Sequence, residues 1–316
     1  MFKFLPRNKF QAIAFGVCFF SRIMRKPYVI GLIGCILYLR NESMICINCI
    51  QWEPHLGIEE TRGIRIMKPL IELTSVRKVY DLEGGQKLEA LKNVSLTVYE
   101  GETLGLLGVN GAGKTTLSAI LATLHPLTSG QILFEGKSIY EDLIGYRTVV
   151  GYCPQRPNVS PYLTLRQSLS FAGEFYGLDR NETAARMDKL IKNFELSRYA
   201  DHTIKSLSGG YRQRFMIART LMHKPRLIIL DEPTVALDAP VRRYLWEVIR
   251  ELKRNGVTII LTTHYLEEAE QLADRVCLLN KGEIVLVDSP ENLKKKFSAT
   301  DLESVFLTLL EEVAHE

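Results

Sequence analysis

From Leu70 to Tyr80 apolar and polar residues alternate, the chain turns through Gly84-Gly85, and the alternation returns along Leu91 to Val98, which predicts a pair of antiparallel strands. A continuous apolar run, Thr103 to Leu107, then meets the glycine-rich stretch Gly108-Val-Asn-Gly-Ala-Gly-Lys-Thr-Thr116. Beyond it Leu117, Ile120, Leu121 and Leu124 recur at helical spacing, so strand, loop and helix are predicted in that order, with the helix beginning near Gly113. Gln131 to Phe134 with the Gly136 turn predicts a short hairpin, and Val149 to Cys153 a buried strand leading to Gln155. Between Pro161 and Leu221 the period becomes helical, with Leu165, Leu169, Ala172 and Phe175 on one face. Strand Leu227–Leu230, a helix presenting Val241, Leu245, Val248, Ile249 and Leu252, and strand Val257–Leu261 follow. The order predicts an α/β fold: a parallel core sheet covered on both sides, an antiparallel β subdomain, and an inserted helical subdomain at about 161–221.

Residues 1–66 break this pattern. Their apolar runs, Ala12–Phe20 and Tyr28–Leu39, are each shorter than the ~20 residues of a membrane helix. Fusing them would bury Arg22, Arg25 and Lys26 near mid-membrane at ~2.5–3.5 kcal/mol each, so no clean span is predicted. A basic start favours a signal peptide, but no small-residue cleavage site follows. Cys46-Ile-Asn-Cys49 has half of a metal-site spacing without a second pair. Residues 1–66 hold nine Lys/Arg against four Asp/Glu of the chain's 40 and 36, so the remainder is close to neutral and offers no concentrated basic face for nucleic acid. Only Cys153 and Cys277 lie in the body, which fits a reducing compartment. The expectation is an atypical extension over 1–66, read as a misassigned start before Met67 or else as a membrane-associating segment, then a domain over 67–289 and a helical tail over 290–316.

The glycine-rich stretch has the makings of a phosphate-binding loop. Gly108, Gly111 and Gly113 let backbone N–H groups turn onto one anion, Lys114 reaches terminal phosphates, and Thr115 offers a hydroxyl to Mg²⁺. Leu227-Ile-Ile-Leu-Asp231-Glu232 is a buried strand ending in two carboxylates, where open α/β sheets bind ligands. Asp231 is the candidate for Mg²⁺ and Glu232 for taking a proton from attacking water; the alternative is an acidic pair capping the next helix. Leu207-Ser208-Gly209-Gly210 precedes another helical pattern and reads as a second anion site or a plain N-cap. One nucleotide does not need two such loops on one subunit, which suggests that the second serves a nucleotide on another copy.

In order along about 70–289, these residues resemble the nucleotide-binding subunit of ATP-binding cassette (ABC) transporters, a P-loop NTPase cassette. The resemblance implies that Tyr80 stacks on adenine, that Gly108, Val109, Asn110, Gly111, Ala112, Gly113, Lys114, Thr115 and Thr116 form the Walker A loop, and that Gln155 is the Q-loop residue, a Mg²⁺ ligand. It also makes Leu207–Gln213 the signature, Asp231 and Glu232 the Walker B pair, Ala236-Leu-Asp238 the D-loop, and His264 the switch histidine at the γ-phosphate. Two positions depart from the pattern, Tyr211 in place of glutamine and Ala236 in place of glycine, and neither removes a reactive group. His264-Tyr-Leu-Glu-Glu-Ala-Glu270 and Asp301-Leu-Glu-Ser-Val-Phe306 resemble the branch of drug, sodium and polysaccharide-type exporters; Thr300 and Glu303 also predict a capping box.

The resemblance implies an ATPase using ATP and Mg²⁺, dimerising around two ATP molecules and driving a separate polytopic membrane permease from the cytoplasmic face. Of the other classes, cassette proteins acting on ribosomes usually carry two cassettes, those acting on DNA insert coiled coils longer than the step from Gln155 to Ser208 allows, and a small-molecule kinase would leave Ser208-Gly-Gly unexplained. Co-purification with a membrane protein separates these classes, and the cargo is not encoded in such a subunit.

Overall fold

The computed structural model describes the backbone of residues 29–32, 35–40, 43–46 and 67–314, with side chains from 67 to 309. The chain divides into two units, Met1–Arg65 and Ile66–Glu316. In the first, β1 (Val29–Leu32), β2 (Cys35–Arg40) and β3 (Ser43–Cys46) form an antiparallel sheet in that order. The apolar run Ala12–Phe20, the cations at 22, 25 and 26, and Cys49 lie outside the described residues.

The second unit opens with β4 (Pro69–Asp81) and β5 (Lys87–Tyr99), antiparallel as the alternation predicts. Next come β6 (Thr103–Leu107), α1 (Lys114–Leu121), β7 (Ser129–Phe134), β8 (Lys137–Ser138), α2 (Leu143–Val149) and β9 (Val150–Cys153). Strands β4, β5, β7 and β8 make a four-stranded sheet in the order β5-β4-β7-β8. Helix α1 is shorter than the apolar spacing predicts: Thr123 turns left-handed (φ 58°) and Leu124, predicted on the apolar face, is 58 % exposed beyond the helix end.

Three helices fall between 161 and 221: α3 (Leu165–Phe175), α4 (Arg180–Asn193) and α5 (Gly209–Thr220). On α3, Leu165, Leu169 and Ala172 are buried, whereas Phe175, predicted on the same face, is 73 % exposed. The last turn of α3 buries Gly173 instead, against Thr183 of α4, where an added Cβ would meet the threonine at 2.7 Å. The chain then alternates through β10 (Leu227–Asp231), α6 (Ala239–Arg254), β11 (Thr258–Thr262), α7 (Leu266–Leu272), β12 (Arg275–Asn280) and β13 (Glu283–Asp288). It ends in α8 (Pro290–Lys296) and α9 (Leu302–Ala314). The cap of α9 is Asp301, whose Oδ1 accepts from Ser304 N at 2.8 Å, and not the predicted Thr300 box; the Thr300 hydroxyl turns to Asp301 Oδ2.

The core sheet has six strands in the order β13-β12-β6-β11-β10-β9, parallel except for β13. Strand β10 is buried on both faces, which accounts for its unbroken apolar sequence. Leu227 and Ile229 pack with α1 and the antiparallel sheet, and Ile228 and Leu230 with the helical side. Strand β11 lies between β6 and β10, so the loop after β6 and the carboxylates after β10 open onto one crevice at the strands' C-terminal ends. Among the described residues no helix is long and apolar enough to cross a membrane.

Candidate nucleotide site

The glycine-rich loop leaves β6 and enters α1 through Gly113, whose φ of 107° and lack of a side-chain cap leave the first-turn N–H groups of α1 without capping partners. Gly108 and Gly111 also have positive φ, 150° and 83°. Glycine at 113 is required twice over, since a Cβ there would fall 2.8 Å from the Ala90 carbonyl oxygen. Val109 and Asn110 are exposed at the loop crest, Ala112 is buried beneath it, and Thr116 is half-buried in the first helical turn. Lys114 curls back under the loop, donating to the Gly108 and Val109 carbonyls at 2.7 and 3.2 Å. It is only 5 % exposed, and burial lowers its pKa against the opposing pull of Glu232 and Asp231.

Asp231, at the end of β10, receives three hydroxyls. Thr262 Oγ1 donates to Oδ1 at 2.6 Å, Thr115 Oγ1 to Oδ1 at 3.4 Å and Tyr152 OH to Oδ2 at 3.3 Å. Burial raises the Asp231 carboxyl above its ordinary pKa, and these hydroxyls oppose the rise. Thr262 and Tyr152 are additions to the predicted set. Their signal is registry: Thr262 pairs with Asp231 across β10–β11, and Tyr152 stands on β9, the other neighbour of β10.

Glu232 follows with a left-handed backbone (φ 48°), and Pro233 after it disfavours right-handed helical geometry there. Its N–H donates to Thr262 O and Oγ1 at 3.1 and 2.9 Å. Its carboxylate accepts from Gln155 Nε2 at 2.7 Å and lies 3.5 Å from His264 Nδ1. Lys114, Thr115, Gln155, Asp231, Glu232 and His264 thus converge from four segments of the chain. The acidic pair does not cap the following helix, whose N-cap residue is Asp238.

Tyr80, at the end of β4, is half-buried, with Lys78 Nζ 4.7 Å from its ring centroid and His125 edge-on at 5.8 Å. Ser208 is exposed at the N-cap position of α5, but its hydroxyl makes no cap bond. Gly209 is exposed beside it, and Gly210 lies so close to α6 that a Cβ would meet Val241 at 2.9 Å. No hydrogen bond among the described residues joins this turn to the Asp231–Glu232 cluster. Tyr211 is drawn away into the helical subdomain, its hydroxyl accepting from Arg198 and its ring 4.7 Å from that of Tyr199.

A cleft of about 430 Å³ opens beside the site, lined by Tyr146, Tyr152, Phe171, Phe175, Tyr176 and Arg219 among others. Phe171 and Phe175 are 61 % and 73 % exposed at its rim. Tyr152 thus lines the cleft while its hydroxyl reaches Asp231.

The ABC transporter family model matches residues 91–235. The linearmycin resistance ATP-binding protein of Bacillus subtilis is 32% identical over 254 residues, covering 78% of this chain and 80% of the relative. A Nod factor export ATP-binding protein I of Cupriavidus metallidurans is 36% identical over 240 residues, covering 76% and 78%. A solved ATP-binding subunit of an ABC transporter superposes with a TM-score of 0.69 at 29% identity, covering 76% of this chain and 99% of that one. A dimeric, post-hydrolysis ATP-binding cassette bound to ADP and Pi gives a TM-score of 0.64 at 30% identity, covering 70% and 98%. The chain belongs to the ABC transporter family. Within it, this is an ATP-binding subunit with the P-loop NTPase fold and an ATPase, homologous to subunits named for export and resistance.

Proposed function

We propose that this ATPase works on the cytoplasmic face of a membrane, where ATP bound between two cassettes closes them and so drives export through a separate membrane subunit. The convergence of Gln155 and His264 on the Glu232 carboxylate, next to the Lys114 loop, is the observation that carries the reading. In this scheme the N-terminal turn of α1 and Lys114 take the β- and γ-phosphates, Lys114 exchanging loop carbonyls for phosphate oxygens. Tyr80 stacks on the base. Glu232 takes the proton of the attacking water, Gln155 and His264 hold that carboxylate in place, and His264 turns to the γ-phosphate as charge develops there.

The donor set near Asp231 fits Mg²⁺. Carboxylate, hydroxyl and amide oxygen are the hard ligands that ion takes, and no cluster of three or more His, Cys, Asp or Glu competes among the described residues. Thr115, Asp231 and Gln155 would hold it, and it would neutralise phosphate charge during transfer.

The names of the relatives, Nod factor export and linearmycin resistance, support export as the direction of transport. The rim of exposed Phe171 and Phe175 supports the cleft as the docking face for the membrane subunit, since two large aromatics left in water mark an interaction surface. Tyr152, with its ring in the cleft and its hydroxyl on Asp231, would carry news of docking to the site.

Glu232→Gln tests the reading because it keeps the shape of the side chain and removes the base. We expect ATP binding to persist while turnover falls at least about 100-fold, as for loss of a general base. Turnover at the parental rate with the membrane partner present would refute Glu232 as the base.

A further inference from the structure

A carboxyl group that this scheme leaves unused lies directly behind two of the residues it depends on. Glu268, on α7, is 0 % exposed. Its Oε1 accepts from Trp246 Nε1 of α6 at 3.0 Å, but its Oε2 is buried without a partner. The hydroxyl of Thr234 is likewise buried and unpartnered. Burial raises the Glu268 pKa, and the nearby hydroxyls of Thr263 and Thr234 oppose the rise, although neither completes a hydrogen bond to Oε2. Thr234 stands two residues after Glu232, and Thr263 immediately precedes His264. Trp246 belongs to the helix that follows Asp238. One carboxyl therefore adjoins the turn after β10, the turn after β11 and the core of α6.

As a mere anchor for α7 the arrangement is poor. Burying a carboxyl with one oxygen unsatisfied destabilises a fold, and a well-packed apolar side chain at that point would serve better. A spare acceptor near a spare hydroxyl has a different use: a hydrogen bond made or broken between Oε2 and Thr234, or Thr263 in exchange for its bond from Tyr265 N, would restrain or free the turn beside Glu232 or His264. Such restraint matters where two groups must meet one phosphate and one water.

We propose that Glu268 is a positioning residue for ATP hydrolysis, acting through Thr234 and Thr263 to set the placement of Glu232 against His264, which are 3.5 Å apart at their nearest polar atoms. The proposal rests on Glu232 and His264 acting on bound ATP as described above.

Steady-state ATP hydrolysis by the full chain, measured for the parental protein, Glu232→Gln, Glu268→Ala, Thr234→Val and Thr234→Ser, tests it. We expect kcat to fall about 10-fold or more in Glu268→Ala and Thr234→Val with KM for ATP within about twofold, because placement is lost and binding is not. Thr234→Ser keeps the hydroxyl and is expected to retain parental kcat within about threefold. If Glu268→Ala does not fold, the contrast between Thr234→Val and Thr234→Ser decides. Parental kcat in Thr234→Val, or a KM that rises in step with the loss of kcat, overturns the positioning role. Parental turnover in Glu232→Gln overturns the functional reading itself and the proposal with it, and is recognised separately because it is read on a different variant.

Discussion

Thr262 holds Asp231 from the neighbouring strand: its hydroxyl donates to Asp231 Oδ1 at 2.6 Å and accepts from Glu232 N at 2.9 Å. One side chain on β11 thus fixes both members of the acidic pair. Thr262→Val keeps the volume and the β-branched fit but leaves a buried carboxylate with its shortest hydrogen bond gone. We expect a loss of about 1–3 kcal/mol of stability, the usual cost of leaving a buried polar group short of a partner. Urea unfolding measures it, and kcat is expected to fall together with stability because the Glu232 N–H loses one of its two acceptors. Unchanged unfolding would show that Thr115 and Tyr152 suffice for Asp231.

This contact also marks the limit of what sequence reading reaches. Asp231 and Glu232 are legible because a buried strand ending in two carboxylates is a local pattern, as is the glycine loop before α1. Thr262 and Tyr152 join them only through the register of β11 and β9 against β10, which no local pattern states. Periodicity failed where packing competes with it. Leu124 lies at helical spacing from Leu117, but the left-handed turn at Thr123 throws it into solvent. Phe175 lies on the α3 apolar stripe, but as the last residue of that helix it stands at the rim of the cleft, 73 % exposed, instead of in the core.

Ala236 adopts φ 57°, left-handed space that costs a residue with a Cβ about 1–2 kcal/mol. Ala236→Gly relieves that strain and loses about 0.4–1 kcal/mol through the freer unfolded chain. The net expectation is a gain of roughly 0.5–1 kcal/mol, seen as a small rise in melting temperature. A drop in melting temperature would show that the alanine methyl group contributes packing that outweighs the strain.

The cleft rim makes a separable claim about the membrane subunit. Phe171 and Phe175 stack on each other at 6.2 Å between ring centroids and stay largely in water, so replacing both with serine removes little from the core. We expect stability within about 0.5 kcal/mol of the parent, as for surface changes in general. ATP binding should persist while the membrane subunit no longer co-purifies from detergent extracts. Retained co-purification would move the docking face elsewhere on the chain.

Ser208 offers the sharpest test of pairing between copies. Its hydroxyl sits at a helix start without making the cap bond such a serine usually makes, and no hydrogen bond joins it to the cluster around Asp231 among the described residues. An uncommitted hydroxyl beside two glycines at a helix N-terminus is suited to an anion that this subunit does not itself hold. The dimeric form of a solved relative, seen in two of its structures, supports a second copy as the source of that anion. Glu232→Gln, by stopping hydrolysis, should trap the pair with ATP. Adding Ser208→Arg should set a bulky cation on the shared face and prevent closure. Light scattering is expected to give an ATP-dependent doubling of mass for the single variant and none for the double variant. Equal doubling in both would remove Ser208 from the shared face and leave its turn as the plain start of a helix.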